Sequence, residues 1–145
     1  MNIHKVYLLL LSIIFLLPSC EKTPGEGGRA SIIGHVEVET RTVLWEPLSL
    51  PDSVPWGALP STDTEVFIVY GDNTGPDDRV FTNPDGDFSF NWLRPGDYTI
   101  YIYSEDTIEA TLQDELPEIA IYKEVYIDDR NETLDAGVIT IYDKP

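Results

Sequence analysis

From Ser31 onward apolar side chains recur at every second position in short runs, and no window repeats at the helical period. Ser31–Thr40 alternates, with Ile33 and Gly34 preceding Val36 and Val38, while Glu37 and Glu39 take the other face. Glu65–Tyr70 and Arg79–Thr82 are short β-rich runs. Asp87–Trp92 alternates with Phe88 and Phe90 on one side. Tyr98–Ser104 places Tyr98, Ile100 and Ile102 on one face and Thr99, Tyr101 and Tyr103 on the other. Glu118–Asp128 and Leu134–Tyr142 complete the series, joined across Asp129-Arg130-Asn131-Glu132. Seven short strands punctuated by turn residues predict an all-β, antiparallel sandwich. Asp85-Gly86 suits a tight hairpin, because glycine accepts positive φ. Pro95-Gly96 suits a type II turn, proline presetting φ before the glycine. Phe88, Phe90, Leu93, Tyr98 and Ile100 are expected to fill one layer between the sheets.

One stretch breaks the rhythm. Residues 41–63 hold four prolines (Pro47, Pro51, Pro55, Pro60) and two tryptophans, Trp45 and Trp56. A connection of that length is uncommon in a compact domain and is often functional. The indoles offer flat faces to a sugar ring or to a partner's apolar patch. The plainer reading is that Trp45, Leu48, Leu50 and Trp56 fold back over an open sheet edge.

The central residues carry a resemblance. Ile33-Gly34-His35-Val36, Thr82-Asn83-Pro84-Asp85-Gly86-Asp87-Phe88-Ser89-Phe90 and Leu93-Arg94-Pro95-Gly96-Asp97-Tyr98-Thr99-Ile100 resemble the carboxypeptidase regulatory-like, or transthyretin-like, β-sandwich domains. The resemblance runs over residues 31–142 and implies a seven-stranded Ig-like, prealbumin-like sandwich. It extends to short lipoproteins of the Bacteroidota. It implies fold rather than mechanism, because the better-known relatives are accessory domains of peptidases and outer-membrane transporters.

The amino end sets the compartment. Lys5 precedes an apolar run, Val6–Leu17, of twelve residues, too short for the roughly twenty that span a bilayer. That is the pattern of a cleavable signal. Leu17-Pro18-Ser19-Cys20 resembles the bacterial lipobox, with proline at a position where a smaller residue is usual. The resemblance implies a signal peptide at residues 1–19 and lipidation of Cys20, whose acyl chains each contribute about 0.8 kcal/mol per buried methylene. The expected location is the cell envelope, at the outer membrane. Residues 20–30, with Pro24 and Gly25, Gly27 and Gly28, read as a flexible tether whose last ten residues span roughly 16–19 Å. The sandwich is expected over 31–145.

Cleavage would leave eight basic side chains against 26 acidic ones, a charge of −18. That excludes a nucleic-acid partner, whose phosphates demand a basic footprint, and disfavours docking driven by anionic lipid. Cys20 is the sole cysteine, so no intrachain disulfide forms.

Catalysis has no foothold in the pattern. His35 is the one histidine beyond the signal and is expected to be a strand residue. No metalloprotease, hydrolase-elbow or phosphate-loop motif occurs. No catalytic residue, cofactor or metal is expected; Asp72, Asp77, Asp78, Asp85 and Asp87 form a weak calcium candidate. Tyr101 and Tyr103, with Tyr122 and Tyr126, are a candidate outward contact stripe, for which cross-strand aromatic pairing is the alternative. Asp52-Ser53-Val54 and Asp106-Thr107-Ile108 resemble an O-glycosylation signal at Ser53 and Thr107. The expected function is a membrane-anchored, non-catalytic module that contacts an envelope protein, with glycan binding through Trp45 and Trp56 as the alternative.

Overall fold

The computed structural model describes residues 23–42, 54–105 and 117–143. They form eight strands: β1 (Glu26–Thr42), β2 (Val54–Pro60), β3 (Glu65–Tyr70), β4 (Asp78–Phe81), β5 (Asp87–Leu93), β6 (Gly96–Glu105), β7 (Glu118–Ile127) and β8 (Thr133–Asp143). β4, β3, β6 and β7 make one sheet in that order. The second is built on β1, which pairs with β2, β5 and β8. Between the sheets lie Ile32, Val36, Val66, Ile68, Phe88, Phe90, Leu93, Tyr98, Ile100, Ile102, Ile127, Ile139 and Ile141, all buried. The layer expected of Phe88, Phe90, Leu93, Tyr98 and Ile100 is thus present.

The count is eight strands rather than seven. The extra one, β2, lies within the Pro/Trp-rich insertion. It pairs antiparallel with the far half of β1, Thr42 opposite Val54 and Glu37 opposite Pro60. β5 pairs with the near half. The insertion therefore supplies backbone partners where β5 has ended, which leaves less of β1 as open edge. The first and last strands also depart from the antiparallel expectation. β1 and β8 run parallel from Ser31↔Thr133 to Thr40↔Asp143, and the other pairings are antiparallel. Alternation shows which face a residue takes, not which way its neighbour runs.

The expected tether also shortens, since Glu26–Ala30 belongs to β1. Glu26 and Ala30 both sit opposite Leu93, so Gly27-Gly28-Arg29 bulges between them. The glycines that read as flexibility serve close approach. A side chain at Gly28 would come within 1.7 Å of the Leu93 carbonyl oxygen.

Two further bulges reset the alternation. Ile32↔Phe90 and Ala30↔Leu93 leave Ser31 facing two residues, Asn91 and Trp92. Trp92 takes φ 63°, and the strand resumes one residue out of phase: Leu93 turns inward while Trp92, expected at the end of a regular alternation, is 71% exposed. In β8, Ile33↔Asp135 and His35↔Val138 set Gly34 against Ala136 and Gly137. Gly137 takes φ 75°, and Ala136 and Ile139 both face the core.

The loops β3–β4, β5–β6 and β7–β8 gather at the pole where β1 begins. Arg94 N–H donates to the Gly25 carbonyl (2.9 Å), Gly71 N–H to Asp97 (2.9 Å) and Ser31 N–H to Glu132 (2.9 Å). Tyr98 fastens this pole: its hydroxyl accepts from Gly25 N–H (2.9 Å) and donates to the Arg94 carbonyl (2.6 Å). This is the role a tyrosine corner plays in other sandwiches.

Candidate functional site

The outer face of the β4-β3-β6-β7 sheet is aromatic. Register places Phe67 of β3 opposite Tyr101 of β6, and Tyr101 opposite Tyr122 of β7. Val66 and Ile68 fill the core, so Phe67 between them must point outward, and the same alternation turns Tyr101 and Tyr103 out beside Ile100 and Ile102. The Phe67 and Tyr101 rings stack at 4.9 Å with planes 11° apart. Tyr122 tilts against Tyr101 at 5.6 Å, and Tyr103 meets both Tyr101 and Phe67 edge-on, at 5.7 and 5.8 Å. Each such pair is worth about 0.5–1.5 kcal/mol beyond burial.

Neighbours cover Tyr101 so fully that only 8% of it is exposed, although it lies on an outer face, whereas Tyr122 remains 66% and Tyr103 49% exposed. Burial raises the Tyr101 phenol above its usual pKa, and Tyr103 beside it adds to the effect. The cluster therefore has a covered middle in Tyr101 and two open members in Tyr103 and Tyr122. The expected stripe of Tyr101, Tyr103 and Tyr122 is an actual ring cluster, with Phe67 as an unforeseen member. Tyr126 faces outward too, but opposite Asp97, where it lines a separate cleft with Asp72 and Glu124.

Beside the rings runs a groove of about 440 Å³, floored by Val69, Thr99 and Tyr101 and walled by Asn73, Thr74, Gly75 and Pro76. The wall is held in shape. Asp77 accepts from Tyr70 N–H (2.7 Å) and from the Asn73 side-chain amide (2.9 and 3.0 Å), while Asp77 N–H donates to Ile68 (2.9 Å). On the neighbouring strand Arg79 pairs with Glu65.

The calcium candidates do not converge. Asp77 is engaged by the loop, Asp78 caps Arg79 N–H (2.7 Å), and Asp87 meets His35 Nδ1 at 2.8 Å. Among the described residues no cluster of three or more histidine, cysteine or acidic side chains could hold a metal ion. His35 is a strand residue, opposite Asp87 and 3.8 Å from Glu37. A larger groove of about 780 Å³ runs past it, lined by Ile33, Val80, Phe81 and Val138, but its histidine and aspartate are already bonded to each other.

Cys20, Trp45, Ser53 and Thr107 lie outside the described residues, and Trp56 falls within β2. No family model matches the chain, and no curated protein matches it. Among solved structures it is similar to a Pseudomonas aeruginosa protein described as a candidate carbohydrate-binding protein. The two are 12% identical, the match covers 83% of this chain and 92% of that one, and the TM-score is 0.46.

Stacked rings beside a preformed polar wall can grip a ligand with one flat apolar face and hydroxyls at its rim. Alternation located the tyrosines. Phe67 was missed because only the cross-strand register, which a sequence does not display, sets it beside Tyr101.

Proposed function

We propose that this chain is a membrane-anchored, non-catalytic binding module of the cell envelope, held by lipid on Cys20, that takes saccharide on the Phe67–Tyr101–Tyr122 face. The observation that carries the reading is the groove beside those rings. Aromatic pairing alone explains why Tyr101 is covered, but not why a stiffened loop stands beside it and leaves Tyr103 and Tyr122 open. A pyranose lays its C–H face on an exposed ring, and the loop's polar groups meet its hydroxyls. The groove's size falls within the roughly 300–1,000 Å³ of small-molecule sites.

Trp45 and Trp56 remain part of the proposal as a second contact, since a longer glycan reaches beyond one groove. A glycan array with the full lipoprotein in detergent, repeated with Tyr122→Ala and with Trp45→Ala/Trp56→Ala, separates the two surfaces. Loss of binding by at least tenfold in Tyr122→Ala supports the aromatic face. Binding unchanged in Tyr122→Ala but abolished in the tryptophan double variant moves the site to the insertion. No saccharide retained by any form overturns the glycan reading and leaves a protein partner.

A further inference from the structure

Trp92 is the least economical residue in the fold. A bulky side chain at φ 63° occupies a left-handed conformation that is costly for any residue but glycine, and its indole, 71% exposed, gains little burial in return. Strain held in an exposed aromatic residue is a mark of function. Its position says which function. Leu93, the next residue, is in register with Glu26, and Arg94 N–H donates to Gly25, so Trp92 stands at the pole where the chain enters the domain. Only five residue steps separate Gly25 from Cys20, a reach of at most about 18 Å even fully extended.

We infer that this pole rests on the bilayer that holds the Cys20 lipid, with the Trp92 indole in the headgroup region. The inference rests on the lipid anchor of the proposed function. Indole prefers that region because its body is apolar and its N–H finds acceptors there. The guanidinium of Arg94 lies against Gly27, and Arg29 and Arg130 are exposed on the same pole, yet so are Glu26, Asp72, Asp97, Asp128 and Asp129. With both signs present, the indole rather than net charge drives the contact, and zwitterionic lipid suffices. Lipid and indole then act as two membrane signals on one short leash. The strands stand up from the bilayer, and the aromatic groove opens sideways rather than at a random angle.

The test uses the full lipoprotein with Trp45→Phe and Trp56→Phe, which leaves Trp92 as its one tryptophan, reconstituted in phosphatidylcholine vesicles. Flotation reads the anchor separately. Expected are flotation, a blue-shifted Trp92 emission and quenching by lipids brominated near the headgroup. Flotation with emission and iodide quenching equal to those of the unlipidated Cys20→Ala protein overturns the inference and leaves the anchor standing. Failure to float overturns both. Should the double variant misfold, the unaltered lipoprotein supports the inference if vesicles slow amide exchange at Asn91–Arg94 relative to Cys20→Ala but leave Asn83–Asp87 unchanged. Equal exchange at Asn91–Arg94 in the two forms overturns it.

Discussion

The bulges of β5 and β8 solve one geometric problem with opposite residues. Each inserts one extra residue against a single partner, each turns on a positive φ, and each returns the strand to the core out of phase. β8 uses Gly137, for which that conformation carries no side-chain penalty. Its bulge is clasped by the Asp135 carboxylate, which accepts from Gly137 N–H at 2.7 Å. β5 uses Trp92, the side chain with most to lose there. Both bulges satisfy the fold, so the fold does not explain the difference. A residue that breaks the local rule where glycine would serve marks a position to test for function.

The phase shift at each bulge carries the largest expected effect. Leu93→Ala and Ile139→Ala, each removing a buried side chain just past a bulge, are expected to cost about 2–5 kcal/mol. Trp92→Ala and Val138→Ala, one position earlier and exposed, are expected to change stability by no more than about 1 kcal/mol. Urea melts of the four variants decide it. Comparable losses at Trp92 and Leu93 would mean that β5 runs through without a bulge.

Those bulges were half legible in the sequence. Buried apolar residues in β5 fall at Phe88, Phe90 and Leu93, and in β8 at Ala136, Ile139 and Ile141, so each series contains one step of three, which in the sequence Trp92 and Val138 fill. A step of three in an alternating strand marks an inserted residue. Gly137 flags its site, whereas Trp92 disguises its own by looking like one more inward aromatic. Strand existence was legible for the same reason, since one face of each strand is buried and alternation reports that face. β2 was hidden because the half of it nearest Pro60 buries no side chain. Ala58, Leu59 and Pro60 are all exposed, so no alternation of buried positions marks that half. The aromatic face was legible as tyrosines but not as a site, because a groove depends on the loop that register brings alongside.

Substitution at the two turning residues should move stability in opposite directions. At Gly137 a side chain would meet nothing within 4 Å, so Gly137→Val tests backbone strain alone and is expected to cost about 1–2 kcal/mol. Trp92→Gly removes a strain of similar size but loosens the unfolded chain by about 0.5–1 kcal/mol. A net gain of up to about 1 kcal/mol is expected, read as a raised melting temperature, and vesicles should no longer slow amide exchange across the bulge. A Trp92→Gly variant that melts well below the parent would show that the indole supports the fold, which removes the reason to assign it to the membrane.

The smallest effect at neutral pH becomes visible in alkali. The β5 bulge feeds the turn clamped by Tyr98, and the Tyr98 ring meets Tyr70 edge-on at 5.7 Å. Burial raises the Tyr98 phenol, against the lowering effect of its bonds to Gly25 and Arg94. Burial, reinforced by Asp78, Glu26 and Asp77, pushes Tyr70 from 10.0 up to about 12. Below pH 10 both phenols are neutral in the folded and unfolded chains, and their contribution is fully present. Between pH 10 and about 12 the unfolded chain releases the Tyr70 proton while the folded one retains it, and Tyr98 acts in the same direction, so stability falls as pH rises. The β8 bulge, which turns on Gly137 and is clasped by Asp135, involves neither phenol. Urea melts from pH 8 to 12 should therefore show a decline that Tyr70→Phe reduces, while Gly137→Val lowers the whole curve without changing its slope. The Tyr70 hydroxyl is buried with no partner among the described residues, so Tyr70→Phe should itself cost nothing at pH 7. A slope unchanged by Tyr70→Phe would place the alkaline loss elsewhere and separate it from the pole where β1 begins.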